Sequence, residues 1–469
     1  MKKISFLLVM VSLLWMLPVR AQQQDKLLQT LKSELEYSFS ELKKRELPPY
    51  YMNLRASDSY NVTISSNFGA MRSSNEKRTR LLVPQIRLGS PELDNFKYST
   101  SGAMVNRRTG AVMGGSYLPL DDSAADAIRQ AIWVDVLNRY DFACFMYEKT
   151  KTQAAVSVED EDKSSCFSKS PVEKYYEEPI PVGLSSVDMD AWEKRLNEIS
   201  AAFRANSNLQ EGSATLTFNT LRTYFVNTEG SEIVQNRVTA RLMLSASLKA
   251  EDGMNLSLSQ DFFAYNPNDL PDNSIIIAAA KDMLQRLEKL EKAPVADPYT
   301  GPAILSGPAS GVFFHEIFGH RLEGHRLKTG GQTFKKMVGE QVLPESFQVY
   351  CDPTLSNYAG TDLNGHYLYD DEGVKARRVN NVVNGVLTEF LMNRVPLDGF
   401  PTSNGHGRTS DAGDPVSRQS NLIIETTQPH SEVELRKMLI EEAKKQGKEY
   451  GYYFKTVTSG FPYTGEGGS

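Results

Sequence analysis

The sequence predicts an α+β fold with an N-terminal α/β part, a mostly antiparallel sheet region and a mixed C-terminal domain that contains a metal-site helix. Three observations lead to this prediction. Apolar residues recur every three or four positions in several separate segments, as they do in amphipathic helices. Between these segments, apolar and polar residues alternate and Glu-Gly or Asp-Gly turns intervene, which is typical of strands. Near residue 315, three histidines lie close together beside a glutamate.

The first 21 residues have the layout of a secretory signal peptide. Lys2 and Lys3 precede an apolar segment from Ile4 to Val19, and the small residue Ala21 follows. We therefore predict cleavage after Ala21 and a periplasmic or secreted protein. The alternative is an uncleaved membrane anchor, but the apolar segment is shorter than the roughly 20 residues that a spanning helix needs. We expect no membrane span after cleavage of the signal.

Composition argues against several classes of protein. The formal net charge is -6 and no block of basic residues occurs, so nucleic acid is not expected as a partner. The three cysteines, Cys144, Cys166 and Cys351, are too few for a disulfide framework. Stability must then come from burial of apolar side chains, and a chain of 469 residues can bury two or three cores.

Residues 22–205 are predicted to form the N-terminal α/β domain. Helical spacing extends from Gln24 to about Arg45, from about Ser123 to Lys151 and from Asp188 to Arg204. Three alternating stretches lie between the first two helices, namely YYMNLRAS, YNVTISS and LLVPQIRLG. We interpret each of these stretches as a strand.

Residues 206–293 are predicted to form the antiparallel sheet region and a connecting helix. The strand-like segments are ATLTFNTLRTYFVN, VTARLMLSASLKA and MNLSLSQDFFAY. Asn273 or Ser274 caps the helix, which continues to Leu290 and ends before Pro294. The C-terminal domain, residues 294–469, then contains every motif with a chemical implication.

The first of these motifs is HEIFGH, in which His315 and His320 are five positions apart. The zinc-peptidase pattern H-E-x-x-H separates its histidines by four, which places both on one face of a helix. On a regular helix five steps of about 100° leave the two rings roughly 140° apart. A single π-turn would rotate the second ring back towards the first, and Gly319 eases such a departure from helical geometry. The alternative is a buried, hydrogen-bonded His315 and a surface His320 without a metal.

HEIFGHRLEGHR resembles the H-E-x-x-x-H region of the TldD/PmbA family, the TldD-like zinc metallopeptidases also called the modulator of DNA gyrase family. Two more segments extend the resemblance. Residues 369–374 are similar to the family's D-D-E-G stretch, and residues 405–408 with 415–421 are similar to its G-N-G-R and P-x-x-R-x-[ST]-N stretches. The match is specific from about Ala303 to Leu422.

The resemblance implies that His315 and His320 bind Zn²⁺ and that Glu316 is the catalytic acid and base. The chemistry of these residue types agrees with that assignment. Neutral imidazoles are common zinc ligands, zinc lowers the pKa of a bound water, and a neighbouring carboxylate can take the proton from that water. The expected function is therefore that of an exported zinc metallopeptidase acting on peptides or unfolded segments.

The resemblance also implies paired subunits that enclose the metal, so we expect a homodimer or a heterodimer with a homologous subunit. The alternative function is a non-catalytic peptide-binding subunit of a TldD/PmbA-type complex. The presence of Glu316 disfavours that alternative, because a binding subunit has no use for a general base.

The sequence does not identify the third zinc ligand. The resemblance implies a cysteine close to the C-terminus, but the last cysteine is Cys351. We favour the interpretation that the chain as given stops short of the segment with this ligand. Cys351 is the best internal substitute, followed by His325 and His366, although a small buried role for Cys351 is the stronger alternative.

Two further groups have two interpretations each. Arg408 and Arg418 could clamp a substrate carboxylate or hold their own loops. Asp370, Asp371 and Glu372 could bind a second metal, but a turn composed of acids is more often solvated.

Overall fold

The computed structural model describes residues 25–97, 115–156, 162–328, 334–409 and 413–457. The predicted signal peptide, residues 1–21, lies outside the described residues. Among those residues, no helix combines the length and the apolar character that crossing a bilayer requires. The predicted α+β fold class is confirmed.

A large sheet forms the first part of the molecule. Its strands follow the order β3-β2-β1-β6-β7-β5, with β4 on β2 and β8 on β7. The pairings are antiparallel except for β5 with β7. The strands are β1 Pro49–Asn67, β2 Ala70–Ser90, β3 Leu93–Asp94, β4 Ser116–Tyr117, β5 Lys174–Tyr176, β6 Leu209–Asn227, β7 Glu232–Lys249 and β8 Asn255–Ala264.

Four helices pack with this sheet, and each was predicted from its apolar spacing. They are α1 Lys26–Leu42, α2 Ala125–Val156, α3 Met189–Ala201 and α4 Asn273–Glu291. Short 3₁₀ turns add Val182–Leu184, Ala202–Ala205 and Pro267–Asp269. The N-cap of α4 is Asp272, one residue before the predicted cap.

The prediction of two separate strands between residues 50 and 66 is wrong, because β1 is continuous over this range. Buried and less buried side chains alternate towards its C-terminal end, from Val62 to Asn67, and the polar middle of the strand, residues 57–61, is partly buried throughout. β1 is paired on both sides, with β2 and with β6, so the ladder hydrogen bonds of the polar residues are also satisfied.

The two faces of the sheet have different environments. The apolar even-numbered residues Leu54, Ala56, Val62 and Ile64 of β1 are buried under helices, with Leu54 in the core shared with α1 and α2 and Ile64 in the core shared with α3 and α4. Side chains alternate between faces with a period of two. Odd-numbered residues such as Arg55 therefore lie on the second face, which faces the C-terminal part of the chain.

The C-terminal part has a smaller sheet in the order β14-β13-β10-β17 and three two-stranded pairs. Its strands are β9 Ala303–Leu305, β10 Phe347–Cys351, β11 Asn357–Tyr358, β12 Thr361–Asp362, β13 Val379–Val383, β14 Val386–Leu387, β15 Gly407–Arg408, β16 Val416–Ser417, β17 Leu422–Thr426 and β18 Tyr452–Phe454. Its helices are α5 Gly307–Phe313, α6 Gly324–Lys328 and α7 Glu432–Lys445, with a 3₁₀ turn at Lys335–Met337. A separate apolar core includes Phe318, Leu322, Val349, Cys351 and Phe390.

Arg394 joins the two parts of the molecule. Its side chain is fully buried and donates to the carbonyl oxygen of Ser168 at 2.9 and 2.6 Å and to Glu229 at 2.9 Å. Its guanidinium also lies 3.9 Å from the centre of the Phe167 ring. The large sheet and the C-terminal part are therefore connected by a specific buried cation. The boundaries at residues 205 and 293 stay predictions.

Candidate functional site

The helix that leads into the histidine motif begins as its sequence predicts. Ser306 is the N-cap, its hydroxyl accepts a hydrogen bond from the backbone of Ala309, and Pro308 occupies the first turn of α5. The helix then changes to a π-turn over Phe314–Phe318. The N–H of Gly319 donates to the carbonyl oxygens of both Phe314 and His315, so i→i−5 and i→i−4 bonds share one donor. The predicted π-turn is confirmed.

This turn brings the two imidazoles together. The ring centres of His315 and His320 are 4.7 Å apart, with the ring planes at 68°. Glu316 lies between them, with its Oε1 3.8 Å from Nε2 of His315 and its Oε2 3.6 Å from Nε2 of His320. The potential ligand atoms of the three residues lie within 4.8 Å of one another. Within the described ranges, no other group of three or more His, Cys, Asp or Glu side chains meets this condition.

Exposure leaves the site open to a ligand. The side chain of His315 is 51% exposed, that of His320 is 17% exposed and that of Glu316 is 19% exposed. The alternative of a buried His315 with a surface His320 is wrong, because the exposures are the reverse.

Phe313 is exposed, unlike Phe314 and Phe318 of the adjoining π-turn. Neighbouring helical side chains point about 100° apart, so Phe313 and Phe314 cannot both face the same core. Phe318 is buried in the C-terminal core, and Phe314 packs against that core.

The buried carboxylate of Glu323 contacts Nδ1 of His320 and fixes the orientation of this ring. Oε1 of Glu323 lies 3.0 Å from Nδ1 of His320, and its Oε2 accepts from Arg326 at 2.6 Å and from Arg418 at 3.3 Å. Burial raises the pKa of Glu323, but the hydrogen bonds from His320 and Arg326 outweigh it and hold this pKa below its ordinary value. The ionised carboxylate can only accept a hydrogen bond, so Nδ1 of His320 carries a proton. The other ring nitrogen, Nε2, lies on the side of Glu316 and keeps its lone pair for a ligand.

Sequence reasoning missed Glu323. The signal that could have found it is its position three residues after His320, since side chains three apart on a helical turn are neighbours. Arg418, considered as a substrate clamp, is instead bound to Glu323.

Gln419 supports the π-turn from the neighbouring loop. Its Nε2 donates to the carbonyl oxygen of His315 at 3.2 Å and lies 3.4 Å from Nδ1 of His320. A Cβ atom at Gly319 would overlap the amide of Gln419. A larger residue at 319 would therefore displace the Gln419 amide from its contact with the π-turn.

The three proposed substitutes for a third ligand lie elsewhere. Cys351 is buried in the C-terminal core, where burial raises the pKa of its thiol to about 12 and keeps it protonated. Burial lowers the pKa of His325 to about 4. His366 has its Nδ1 2.9 Å from the carbonyl oxygen of Pro353. None of the three joins the group formed by His315, Glu316 and His320.

The acidic turn is not solvated, which corrects the expectation for Asp370 and Glu372. Both side chains are almost fully buried, and burial together with the neighbouring acid raises the pKa of Asp370. Burial likewise raises the pKa of Glu372. Asp371 instead accepts from Arg408 at 3.0 Å. These acids order neighbouring loops of the C-terminal part, with Asp370 accepting from the backbone of Gly407 at 2.9 Å.

The arrangement has the donors that zinc uses in proteins. Imidazole nitrogens and carboxylate oxygens are both zinc ligands, and catalytic sites place them around an open position. The carboxylate behind His320 completes a carboxylate–histidine pair of the kind that orients metal-binding imidazoles. His315 and His320 therefore fit two of the three protein ligand positions of a catalytic zinc ion.

Comparison with known proteins matches the part of the chain that contains His315, Glu316 and His320. Residues 298–461 match the family described as PmbA/TldA metallopeptidase C-terminal domain. A metalloprotease of Archaeoglobus fulgidus is 31% identical over 147 residues, which are 31% of this chain and 33% of that protein. A protein of Buchnera aphidicola described as a metalloprotease TldD homolog is 24% identical over 283 residues, or 58% of this chain and 57% of that protein. The chain thus spans about a third to just over half of the length of these curated relatives.

A solved structure extends the likeness to the fold of most of the chain. TldE from Thermococcus kodakarensis superimposes with a TM-score of 0.56 at 16% identity and covers 87% of this chain and 79% of its own. At this identity the likeness shows the fold alone. The fold includes the large N-terminal sheet, which lies outside the region matched by the family.

Proposed function

Because the chain belongs to the TldD/PmbA family through its C-terminal domain, we propose that it is an exported zinc metallopeptidase that hydrolyses peptides or unfolded segments. The observation that carries the proposal is the convergence of His315, Glu316 and His320 across the π-turn. A helix without this turn would direct the two imidazoles to different sides.

His315 and His320 are the residues that would hold the metal, each through a ring nitrogen. When bound, Zn²⁺ polarises the carbonyl group of a substrate and makes a water molecule more acidic. Glu323 holds the proton on Nδ1 of His320, so this ring offers Nε2 as a neutral donor. Gln419 holds the carbonyl oxygen of His315 and so stabilises the turn that positions both rings.

Glu316 is the general base in this proposal. Its carboxylate lies between the two rings, where it can take a proton from the attacking water on one oxygen and deliver it to the departing amine. It is 19% exposed, so both water and a peptide can approach it.

The location and the partners are also proposals. Export is supported by the N-terminal pattern of Lys2, Lys3 and the apolar segment before Ala21. A mature N-terminus at Gln22, found by mass spectrometry of protein recovered outside the cytoplasm, is the expected result. We propose pairing with an identical or a homologous subunit on the strength of family membership.

The function is tested with wild-type protein and with Glu316→Gln. Zinc content is measured by atomic absorption, and cleavage is followed over a broad peptide library. Both proteins should contain zinc, and only the wild type should cleave. The matched control is Glu340→Gln, an exposed glutamate away from the site, which should cleave as the wild type does.

Two results would contradict the proposal. Zinc in both proteins without cleavage by either would favour a non-catalytic peptide-binding subunit. Equal cleavage by wild type and Glu316→Gln would remove Glu316 from its proposed role.

A further inference from the structure

A second cavity lies between the large sheet and the C-terminal part. Its volume is about 570 Å³, within the usual range for small-molecule sites. The second face of the sheet forms one wall of the cavity, to which Arg55 of β1 and Arg237 of β7 contribute. The opposite wall includes Tyr367 and Arg408 of the C-terminal part. Its lining residues do not include His315, Glu316 or His320.

Three guanidinium groups line this cavity. Arg55 and Arg237 are both at odd positions, on the face that the helices leave uncovered, and Arg408 is at the end of β15 opposite them. Burial lowers the pKa of Arg55 and of Arg237. The charge of Arg408 lowers both further, whereas the carboxylate of Asp371 opposes the shift at both and that of Asp414 opposes it at Arg55. The charge of Arg408 is therefore close enough to interact unfavourably with that of Arg55 and with that of Arg237.

Much of the hydrogen-bonding capacity of these arginines is unused. Arg55 donates through one Nη to the carbonyl oxygen of Gly413 at 2.8 Å. Arg237 donates through Nη2 to Asn364, while its Nε is buried and has no hydrogen-bond partner among the described residues. A guanidinium has five N–H donors, and a buried donor without an acceptor is costly.

The nearby acids, including Asp371 and Asp414, act on these arginines at a distance and form no direct ion pair with Arg55 or Arg237 among the described residues. Asp371 pairs with Arg408 at 3.0 Å and also accepts from the backbone of Thr409. Glu177 accepts from the backbone of Asn236 at 2.7 Å and from Tyr175 at 2.8 Å. Over the described ranges, neither Arg55 nor Arg237 has a carboxylate oxygen within 4.0 Å.

The rest of the lining is mixed. Its apolar and aromatic members are Leu184, Leu221, Val238, Tyr265, Tyr367 and Leu368, and its polar members include Ser57, Thr223, Gln235, Asn236, Asn266 and Ser356. Arg408 stacks on the ring of Tyr367 at 4.3 Å, which fixes the plane of its guanidinium. A ligand here would have an apolar body and one anionic end.

We propose that this cavity binds a carboxylate carried on an apolar body, with Arg55 and Arg237 as its cationic partners. A carboxylate matches the planar fork of a guanidinium and can accept two N–H bonds from it. Two sources share this chemistry: a free small acid, and the C-terminus of a peptide. The inference concerns binding alone and does not depend on the proposed peptidase activity.

Isothermal titration calorimetry on the full chain tests the proposal. The probes are N-acetylphenylalanine and its amide, which differ only in the carboxylate. A hexapeptide ending in phenylalanine, with a free or amidated C-terminus, distinguishes the two sources and is measured in the Glu316→Gln background so that it is not consumed. The acid should bind at least about tenfold more tightly than the amide. Retention of this preference in the hexapeptide would identify peptide C-termini as ligands, and its loss would restrict the site to free acids.

Four variants locate the bound carboxylate. Arg237→Gln and Arg55→Gln should each weaken binding of the acid by about tenfold or more. Arg241→Gln is the matched control, an exposed arginine on the same strand that pairs with Asp261 at the surface, and it should change little. His320→Ala removes a proposed metal ligand and should also change little, because the metal site is not part of the cavity.

The proposal is overturned by equal binding of acid and amide, or by no binding of the acid at about 10 mM. It is also overturned if Arg237→Gln, folded by circular dichroism, binds the acid as wild type does. Loss of binding in His320→Ala alone would place the carboxylate on the metal instead. If Arg55→Gln and Arg237→Gln both fail to fold, the comparison of acid with amide in wild type and in His320→Ala still shows whether the carboxylate binds away from the metal site.

Discussion

Oε1 of Glu323 lies 3.0 Å from Nδ1 of His320, and this carboxylate is almost completely buried. The contact fixes the orientation and the tautomer of the imidazole that the π-turn presents to the site. It also connects His320 to Arg326 and Arg418 through a single shared acid. The other imidazole, that of His315, is supported indirectly, because Gln419 donates to the backbone carbonyl oxygen of His315.

Glu323→Gln should weaken zinc binding by about 10- to 100-fold, as loss of a carboxylate behind a metal-binding histidine usually does. The amide can still accept at one atom, but it removes the negative charge that holds the proton on Nδ1. Competition with a chromogenic chelator measures the affinity. Glu340→Gln is the control, and an unchanged zinc affinity in Glu323→Gln would show that this contact does not tune the site.

Gly319→Ala should displace Gln419, because the added Cβ overlaps its amide. Loss of one ordinary hydrogen bond costs about 0.5 to 1.5 kcal/mol, so zinc affinity should fall by about two- to twelvefold. Gln419→Ala should have a similar effect, and the double variant should be no worse than either single one. Additive losses in this double-mutant cycle would mean that Gly319 acts on the turn itself.

Asp370 and Glu372 should make folding stability depend on pH. Their pKa values are raised in the folded protein, so the folded state retains protons that the unfolded state has released. The free energy of unfolding should therefore fall as the pH rises from the ordinary carboxyl range towards neutrality, by about 1.4 kcal/mol for each pKa unit of the shift. Glu372→Gln should flatten this decline, measured by urea unfolding at a series of pH values.

The control for this experiment is Asp398→Asn, which changes an exposed acid of the same part of the chain. It should leave the decline of stability with pH as in wild type. A decline of the same size in Glu372→Gln would show that the buried pair is not its source.

Arg394→Ala should lower the free energy of unfolding by about 3 kcal/mol or more, because it leaves Ser168 and Glu229 without their buried partner. Arg394→Lys should recover little, since an ammonium cannot reproduce the planar contacts with Ser168 and Phe167. Guanidinium unfolding measures both. Arg241→Ala, at an exposed ion pair, should cost less than about 1 kcal/mol. A comparable small loss in Arg394→Ala would contradict its bridging role.

Local patterns predicted the helices and the π-turn. Apolar spacing alone identifies α1, and Ser306 with Pro308 identifies the start of α5. The π-turn follows from a single count, a separation of five positions between two histidines, together with a glycine directly before the second histidine. Each of these signals lies within a few turns of the chain, where periodicity is informative.

Contacts between residues far apart in the sequence could not be predicted from such local patterns. The pairing of Ala56 with Tyr224 joins positions far apart in the chain, and no local pattern specifies it. Asp370 and Glu372 have the composition of a solvated turn, yet packing against Gly407 buries them. The arginine cavity likewise exists only because the second face of the sheet meets the C-terminal part.

The central claim is that the π-turn lets His315 and His320 share one metal ion. A crystal structure of the zinc-loaded protein, with anomalous diffraction recorded at the zinc edge, tests it most directly. The account predicts one anomalous peak at about 2.0 to 2.1 Å from a ring nitrogen of each histidine, with Glu323 still bound to Nδ1 of His320. A peak bound to only one of the two rings, or located elsewhere in the chain, would contradict it.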